Sequence, residues 1–280
     1  MKSKSKTIVI TGVSTGIGYG SAKEFINRGY TVFGSVRKKE DAERLAIEFG
    51  ERFVPLIMDV VDQPAIDAAE QKVRLHLQSE GLGGLINNSG ISIAGPLEKI
   101  PMDQFINNFD VNVFGLLRVT KAFLPLLGTQ KNHPSLPGRI LNISSISGKI
   151  GAPFLGAYCG TKHAVEAISQ SQRRELLRYG IDVVIIGPGP IQTPIWDKGS
   201  ISVYQDTDYM PSMIRFFGEA VKSGKTGMKL EKCSRKIADI FEANKPRTRY
   251  TLIEGKLMNW ILPRLLPDRI IDRVLEKKFM

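Results

Sequence analysis

Cysteine is scarce in this 280-residue chain. The two that occur, Cys159 and Cys233, cannot build a disulfide framework, and neither belongs to a CxxC pair of the kind that signals metal or redox chemistry. A reducing compartment is expected. Long apolar runs are lacking as well. After Met1-Lys2-Ser3-Lys4-Ser5-Lys6 the first hydrophobic stretch is only Ile8-Val9-Ile10, far short of a signal-peptide core. Nowhere does the chain approach the roughly 18 uninterrupted apolar residues of a membrane span. A cytoplasmic location follows as the expectation. Repeats, low-complexity tracts and Ser/Gly linkers are missing too, which excludes a solenoid or a string of flexibly joined modules. Acidic residues are the minority, 28 against 39 basic, for a net charge of +11. That excess is uneven: Arg215 to Met280 holds 16 basic and 8 acidic residues, and the first 214 positions hold 23 and 20. No aromatic platform or recognition motif accompanies the basic quarter, so nucleic acid is not an expected partner. Weak association with an anionic membrane surface, peripheral to the cytoplasm, is the partnership such charge leaves open.

What is present fits a folded α/β chain. Hydrophobic residues at 42% and charged residues at 24% match soluble globular composition, and the length suits one domain over residues 1–280. Short β-branched runs alternate with helical patterns. The first run is Thr7 to Thr11, followed by a Gly-rich turn and a helix with Ala22, Phe25 and Ile26 on one face, closed by Gly29 as a C-cap. Strands are expected at 31–35, 53–57, 85–86, 139–143 and 182–186, with helices at 40–49, 63–78, around 105–127 and at 157–178. Strands without in/out alternation, each followed by a helix, predict a doubly wound parallel sheet buried on both faces. Ligands of such sheets bind beyond the carboxyl ends of the strands, so chemistry is sought there.

Three features stand at those ends. Thr11-Gly12-Val13-Ser14-Thr15-Gly16-Ile17-Gly18 joins the first strand to the first helix with glycines where a backbone must turn tightly and approach a diphosphate. The second strand ends in Val36-Arg37-Lys38, with no carboxylate to take ribose hydroxyls. An arginine there accommodates a 2′-phosphate, or it is a solvated surface arginine. Tyr158 and Lys162 lie at i and i+4, on one helical face. A phenol titrates near pH ~10, so a base working near neutrality needs a shift of roughly 3 units, about 4 kcal/mol. An ammonium about 5 Å away at an effective dielectric of about 20 supplies roughly 3 kcal/mol. A buried aromatic beside a snorkelling lysine is the plainer alternative.

Together these motifs resemble the short-chain dehydrogenase/reductase family. The glycine turn matches its TGxxxGxG, and Asn87-Asn88-Ser89-Gly90 its NNAG turn, with serine for alanine. Ser145 stands thirteen residues before Tyr158, the family's spacing for its catalytic serine; Ser144 is the competing choice. Asn112 matches the helix asparagine of an Asn-Ser-Tyr-Lys tetrad, although a helix-packing amide would look the same. Pro188-Gly189-Pro190-Ile191-Gln192-Thr193 resembles the PGxxxT segment that contacts the nicotinamide end. Asp59, followed by Val60, falls where the family's aspartate borders the adenine, or it caps the next helix. His163 and Cys159 have no partners at metal spacing, and both are read as packing residues with no metal site.

The resemblance implies an oxidoreductase interconverting an alcohol and its ketone or aldehyde, with NADP(H) preferred and NAD(H) the alternative. Tyr158 would exchange the proton, Ser145 would bind the substrate oxygen, Lys162 would lower the tyrosine pKa and bind ribose, and Asn112 would hold a relay water. Gly12, Ser14, Thr15, Gly16, Ile17, Gly18, Arg37, Asp59, Val60, Asn88, Ser89, Gly90, Pro188, Gly189, Ile191 and Thr193 would line the cofactor with Tyr158 and Lys162. A homo-oligomer is the family's common state. Residues from about 194 to 224 would form a substrate lid, carrying Ile195, Trp196, Tyr204, Tyr209, Met210, Met213, Ile214, Phe216 and Phe217. The extension from about 250 to 280 is similar to that of hydroxysteroid and retinol dehydrogenase branches. So apolar a lid suits a steroid, retinoid or long-chain carbonyl compound, unless these residues only close the core or an interface. A non-catalytic NADP-binding sensor remains the rival reading.

Overall fold

The computed structural model describes residues 5–78, 80–130, 133, 135–193 and 202–280. Among the described residues seven strands pair into one sheet: β1 (Thr7–Ile10), β2 (Thr31–Val36), β3 (Phe53–Ile57), β4 (Gly84–Asn87), β5 (Arg139–Ile143), β6 (Asp182–Pro188) and β7 (Arg249–Leu252). Their order is β3-β2-β1-β4-β5-β6-β7, and every pairing is parallel. The chain reverses its direction of travel between β3 and β4, so the crevice of this doubly wound sheet opens beyond the carboxyl ends of β1 and β4.

Alternate residues of β1 explain why both faces need cover. Ile8 and Ile10 pack with Phe25 of α1 (Gly16–Asn27), Leu45 of α2 (Lys39–Phe49) and Phe241 of α8 (Leu230–Glu242). Val9 points to the other face, with Ile66 and Val73 of α3 (Gln63–Leu77) and Val119 and Phe123 of α5 (Leu116–Leu124). Each such fully buried side chain contributes roughly 1.5–3 kcal/mol. The helix signals also hold. Gly29 takes φ +81°, and the Tyr30 and Gly29 amides donate to the Phe25 and Ile26 carbonyls at 3.0 and 2.9 Å, which closes α1 in a Schellman turn. At the start of α3 it is Asp62, not Asp59, whose carboxylate accepts from the Ala65 amide.

Two differences matter for the site. The long apolar helix is not uniform: α4 (Met102–Phe109) runs into a π-helical segment, Asp110–Gly115, before α5. Met102–Thr129 is long and apolar enough to cross a membrane, yet Val119, Phe123, Leu126 and Leu127 fill the sheet core, where apolarity is the requirement. The second difference lies after residue 186, where no element was expected. Here the chain forms β7, α7 (Met210–Thr226), α8 and α9 (Asp268–Phe279). Within α7, Met213 is buried against Phe154 and Tyr204, with Tyr209, Phe216 and Phe217 packed around them. Of the lid residues, Pro194, Ile195 and Trp196 lie outside the described residues.

Candidate active site

The glycine turn is a cradle with no room for side chains. Gly12 takes φ +71° and Gly16 +63°, conformations that L side chains rarely adopt. A Cβ at Gly18 would stand 2.1 Å from the Gly12 carbonyl oxygen and 2.4 Å from Asn88 Nδ2. The turn is held from β4: Asn88 Nδ2 donates to the Thr11 and Gly12 carbonyls, and the Asn88 and Ser89 amides donate to Thr11 Oγ1, all at 2.9 Å. From β2, Ser35 Oγ accepts from the Gly12 amide at 3.0 Å. Thr15 caps α1 with no side-chain hydrogen bond to it, which leaves the first-turn amides of Gly16, Ile17 and Gly18 to an anion at the positive end of the helix dipole. These residues therefore fit a dinucleotide diphosphate.

The other residues expected to line the cofactor follow the strands that flank β1 and β4. Arg37 follows β2, 73% exposed, with Nη1 4.0 Å from Asp59 Oδ2. Asp59 also accepts from the Val61 amide. Arg44 of α2, which sequence reasoning missed, donates to the Ser14 carbonyl at 2.9 Å. Val60 packs beneath Gly115, whose missing Cβ would stand 2.6 Å from Val60 Cγ2. On the far side Pro188 ends β6, Gly189 donates to the Leu252 carbonyl, Ile191 bridges to Met228, and Thr193 lies 3.8 Å from the Cβ position of Gly16.

The candidate catalytic groups meet between β5 and α6 (Gly156–Leu176). Ser145 follows β5, and its Oγ accepts from the Ser147 amide at 3.1 Å. Ser144 is turned inward; its Oγ has no hydrogen-bond partner among the described residues and lies 2.6 Å from where a Gly148 Cβ would be. Lys162 is 5% exposed. Its Nζ donates to the Ile143 carbonyl at 2.9 Å and lies 5.7 Å from the Tyr158 ring centroid. Asn112 sits in the π-helical segment, where widened turns recur at functional sites. Its Nδ2 donates to the Ile91 carbonyl and Thr161 Oγ1, and its Oδ1 accepts from the Ile91 amide. Of the two residues read as packing, Cys159 is buried and His163 exposed.

Charge here runs opposite to the simple expectation of a lysine-lowered phenol. Burial pushes the Tyr158 phenol up to about 12, with the Ser145 hydroxyl opposing, and pushes Lys162 down to about 8, with Glu166 opposing. Desolvation disfavours both ions and is the largest influence on each. Glu166 is a further residue that sequence reasoning missed, although it continues the Tyr158, Lys162 series by another four positions on α6.

The family model for short chain dehydrogenase matches residues 6–201. The chain is 39% identical to an NADPH-dependent 3-dehydrocapnine reductase of Ornithobacterium rhinotracheale, over 96% of this chain and 95% of that one. It is 32% identical to retinol dehydrogenase 16 of Mus musculus, over 97% and 88%. A short-chain dehydrogenase structure from Streptomyces avermitilis superposes with a TM-score of 0.76 at 25% identity, covering 97% and 96%. The chain belongs to the short-chain dehydrogenase family and is an oxidoreductase of alcohol and carbonyl groups that uses a nicotinamide cofactor.

Proposed function

We propose that this enzyme prefers NADP(H) and interconverts a lipophilic alcohol with its ketone or aldehyde, with Tyr158, Ser145, Lys162 and Asn112 as its working residues. The observation that carries the reading is the convergence of Ser145, Tyr158 and a buried Lys162, with Lys162 Nζ 3.7 Å from where a Cβ of Gly90 would stand. The cradle, Arg37, Asp59 and the Pro188–Thr193 segment hold the cofactor, which supplies or accepts a hydride when bound. Tyr158 exchanges a proton with the substrate oxygen, and the Ser145 hydroxyl hydrogen-bonds that oxygen. Lys162 draws the phenol toward its ionised form and binds ribose. Asn112 fixes the backbone at Ile91 beside the site and orders a relay water.

The NADP(H) preference is supported by Arg37, by the lack of a carboxylate at the end of β2, and by the relative described as NADPH-dependent. For lipophilicity the support is the cluster of Phe154, Tyr204 and Met213 under α7 and the retinol dehydrogenase relatives. Residues 194–224 then act as the substrate lid of one domain spanning 1–280. Exposed Met102, Ile106 and Phe114 along α4 and the π segment favour a homo-oligomer. Exposed Leu257, Met258 and Leu265 among Lys256 and Arg264 favour weak contact of a cytoplasmic enzyme with an anionic membrane surface.

NADPH oxidation measured across aliphatic ketones and aldehydes of increasing length tests the reading. Efficiency should climb with chain length, by up to about 0.8 kcal/mol per buried methylene, and Tyr158→Phe should abolish turnover while NADPH still binds. A flat profile refutes lipophilicity; an active Tyr158→Phe refutes the proton-transfer role.

A further inference from the structure

Glu166 and Arg249 lie against the working residues, and neither has a part in the reaction proposed above. Glu166 is 2% exposed and sits one turn beyond Lys162. Arg249 Nε donates to its two carboxylate oxygens at 3.0 and 2.9 Å, and Lys149 Nζ lies 3.4 Å away. The same guanidinium donates through Nη1 to Thr251 Oγ1 at 2.6 Å and through Nη2 to the backbone carbonyl of Ser145 at 3.3 Å. It also stands 5.3 Å from the Trp260 ring centroid, with the Arg264 guanidinium 4.7 Å from the same ring. Glycine opens the path for this fork. A Cβ at Gly187 of β6 would stand 2.5 Å from Arg249 Nη2, and one at Gly148 would stand 2.9 Å from Glu166 Cγ.

Stability alone is a poor reason for such a pair, since apolar residues of similar volume commonly stabilise a buried site as well or better. Orientation is a better one. Ser145 lies where β5 gives way to the short turn Ile146–Gly148; a bond to its carbonyl holds the backbone from which the side chain departs, and the Ser147 amide of the same turn donates to its Oγ. A planar guanidinium can bond Glu166, Thr251 and the Ser145 carbonyl at once, whereas a lysine offers no such fork. Resting on the reductase reading above, we propose that Glu166 and Arg249 are a positioning pair that aims the Ser145 hydroxyl at the substrate oxygen beside Tyr158 and Lys162, and that links this aim to Trp260 of the C-terminal segment.

The test compares the full-length protein with Arg249→Met, Arg249→Lys, Glu166→Gln and the double variant Glu166→Gln/Arg249→Met. NADPH oxidation with a long-chain ketone, NADPH affinity by cofactor fluorescence, and thermal unfolding are measured on each. Arg249→Met and Arg249→Lys should lower kcat at least tenfold while NADPH affinity stays within twofold. The double variant should be no more than about twofold slower than the slower single one, because the two residues act as a unit. A merely structural pair would lower the unfolding temperature but leave kcat per NADPH-binding site unchanged. That result overturns the proposal, as does an Arg249→Lys enzyme within twofold of the unmodified one. An unmodified protein that turns over no carbonyl compound instead fails the reductase reading, before any variant is compared. The link to Trp260 has its own readout: in a Trp196→Phe background only Trp260 remains, and Glu166→Gln should shift its emission. Unchanged emission overturns that link whether or not turnover is seen.

Discussion

Lys162 carries its ammonium where water scarcely reaches it, and that cost can be measured. Burial moves its pKa from the ordinary 10.5 down to about 8. At about 1.36 kcal/mol per unit, the gap of about 2.5 units corresponds to a penalty of about 3 kcal/mol on the folded state. Between the two values the unfolded chain binds more protons than the folded one, so stability rises with pH through that window. The penalty is complete below pH 8 and gone above 10.5. Lys162→Met removes the ionisable group at similar volume and also removes the hydrogen bond to the Ile143 carbonyl, a loss of about 1–2 kcal/mol. The variant should therefore be about 1–2 kcal/mol more stable than the unmodified protein at pH 7, and that advantage should vanish by pH 10. Catalysis moves the other way. An ammonium 5.7 Å from the phenol ring favours the phenolate by about 3 kcal/mol at an effective dielectric of about 20, so alcohol oxidation should fall roughly a hundredfold. Urea unfolding of both proteins from pH 6 to pH 10 is the assay. A stability difference that is the same at pH 7 and pH 10 refutes the reasoning, whatever its sign.

Two further substitutions bear on the cofactor and on the choice of serine. Arg37→Glu should raise the KM for NADPH at least about tenfold and leave NADH almost unaffected, since a charge-assisted contact to a phosphate contributes roughly 1.5–3 kcal/mol and an exposed guanidinium lies toward the lower figure. Equal use of NADH and NADPH by the unmodified enzyme would contradict this. Ser145→Ala should reduce kcat about a hundredfold or more, whereas Ser144→Ala should be mild in kcat and neutral in unfolding, because the Ser144 hydroxyl has no hydrogen-bond partner among the described residues to lose. Steady-state kinetics in the reverse order would move the role to Ser144.

How much of this was legible in the sequence depends on how local the cause is. Gly12, Gly16 and Gly18 announce the cradle because only glycine tolerates those backbone angles and that approach to Asn88. Tyr158 and Lys162 announce one another through helical spacing alone. Glu166, four positions further along the same face, carried the same signal, but its partner Arg249 is 83 residues away and nothing local connects them. β7 was missed for a related reason: it has four residues and only Leu252 is buried, so it lacks both the apolar run and the alternation by which strands are read. The widened turns around Asn112 were invisible because no residue of Asp110–Gly115 distinguishes i→i+5 pairing from the ordinary i→i+4 pairing of the apolar stretch around it.

The charge state of the site bears on what binding must change. With the phenol at about 12, Tyr158 holds its proton throughout the neutral range, and in the role proposed for it can only donate, as reduction of a carbonyl requires. Oxidation of an alcohol requires the phenolate, which the buried site of the protein alone disfavours. Lys162, at about 8, is mostly charged at pH 7 but close enough to neutrality that nearby charge decides its state. The negative charge of Glu166 favours the ammonium, and Arg249 and Lys149 draw on that same carboxylate. Any loosening of Arg249 therefore strengthens the hold of Glu166 on the Lys162 proton. The pair that orients Ser145 thus also adjusts the charge beside Tyr158, and a disturbance at Trp260 reaches both groups through one guanidinium.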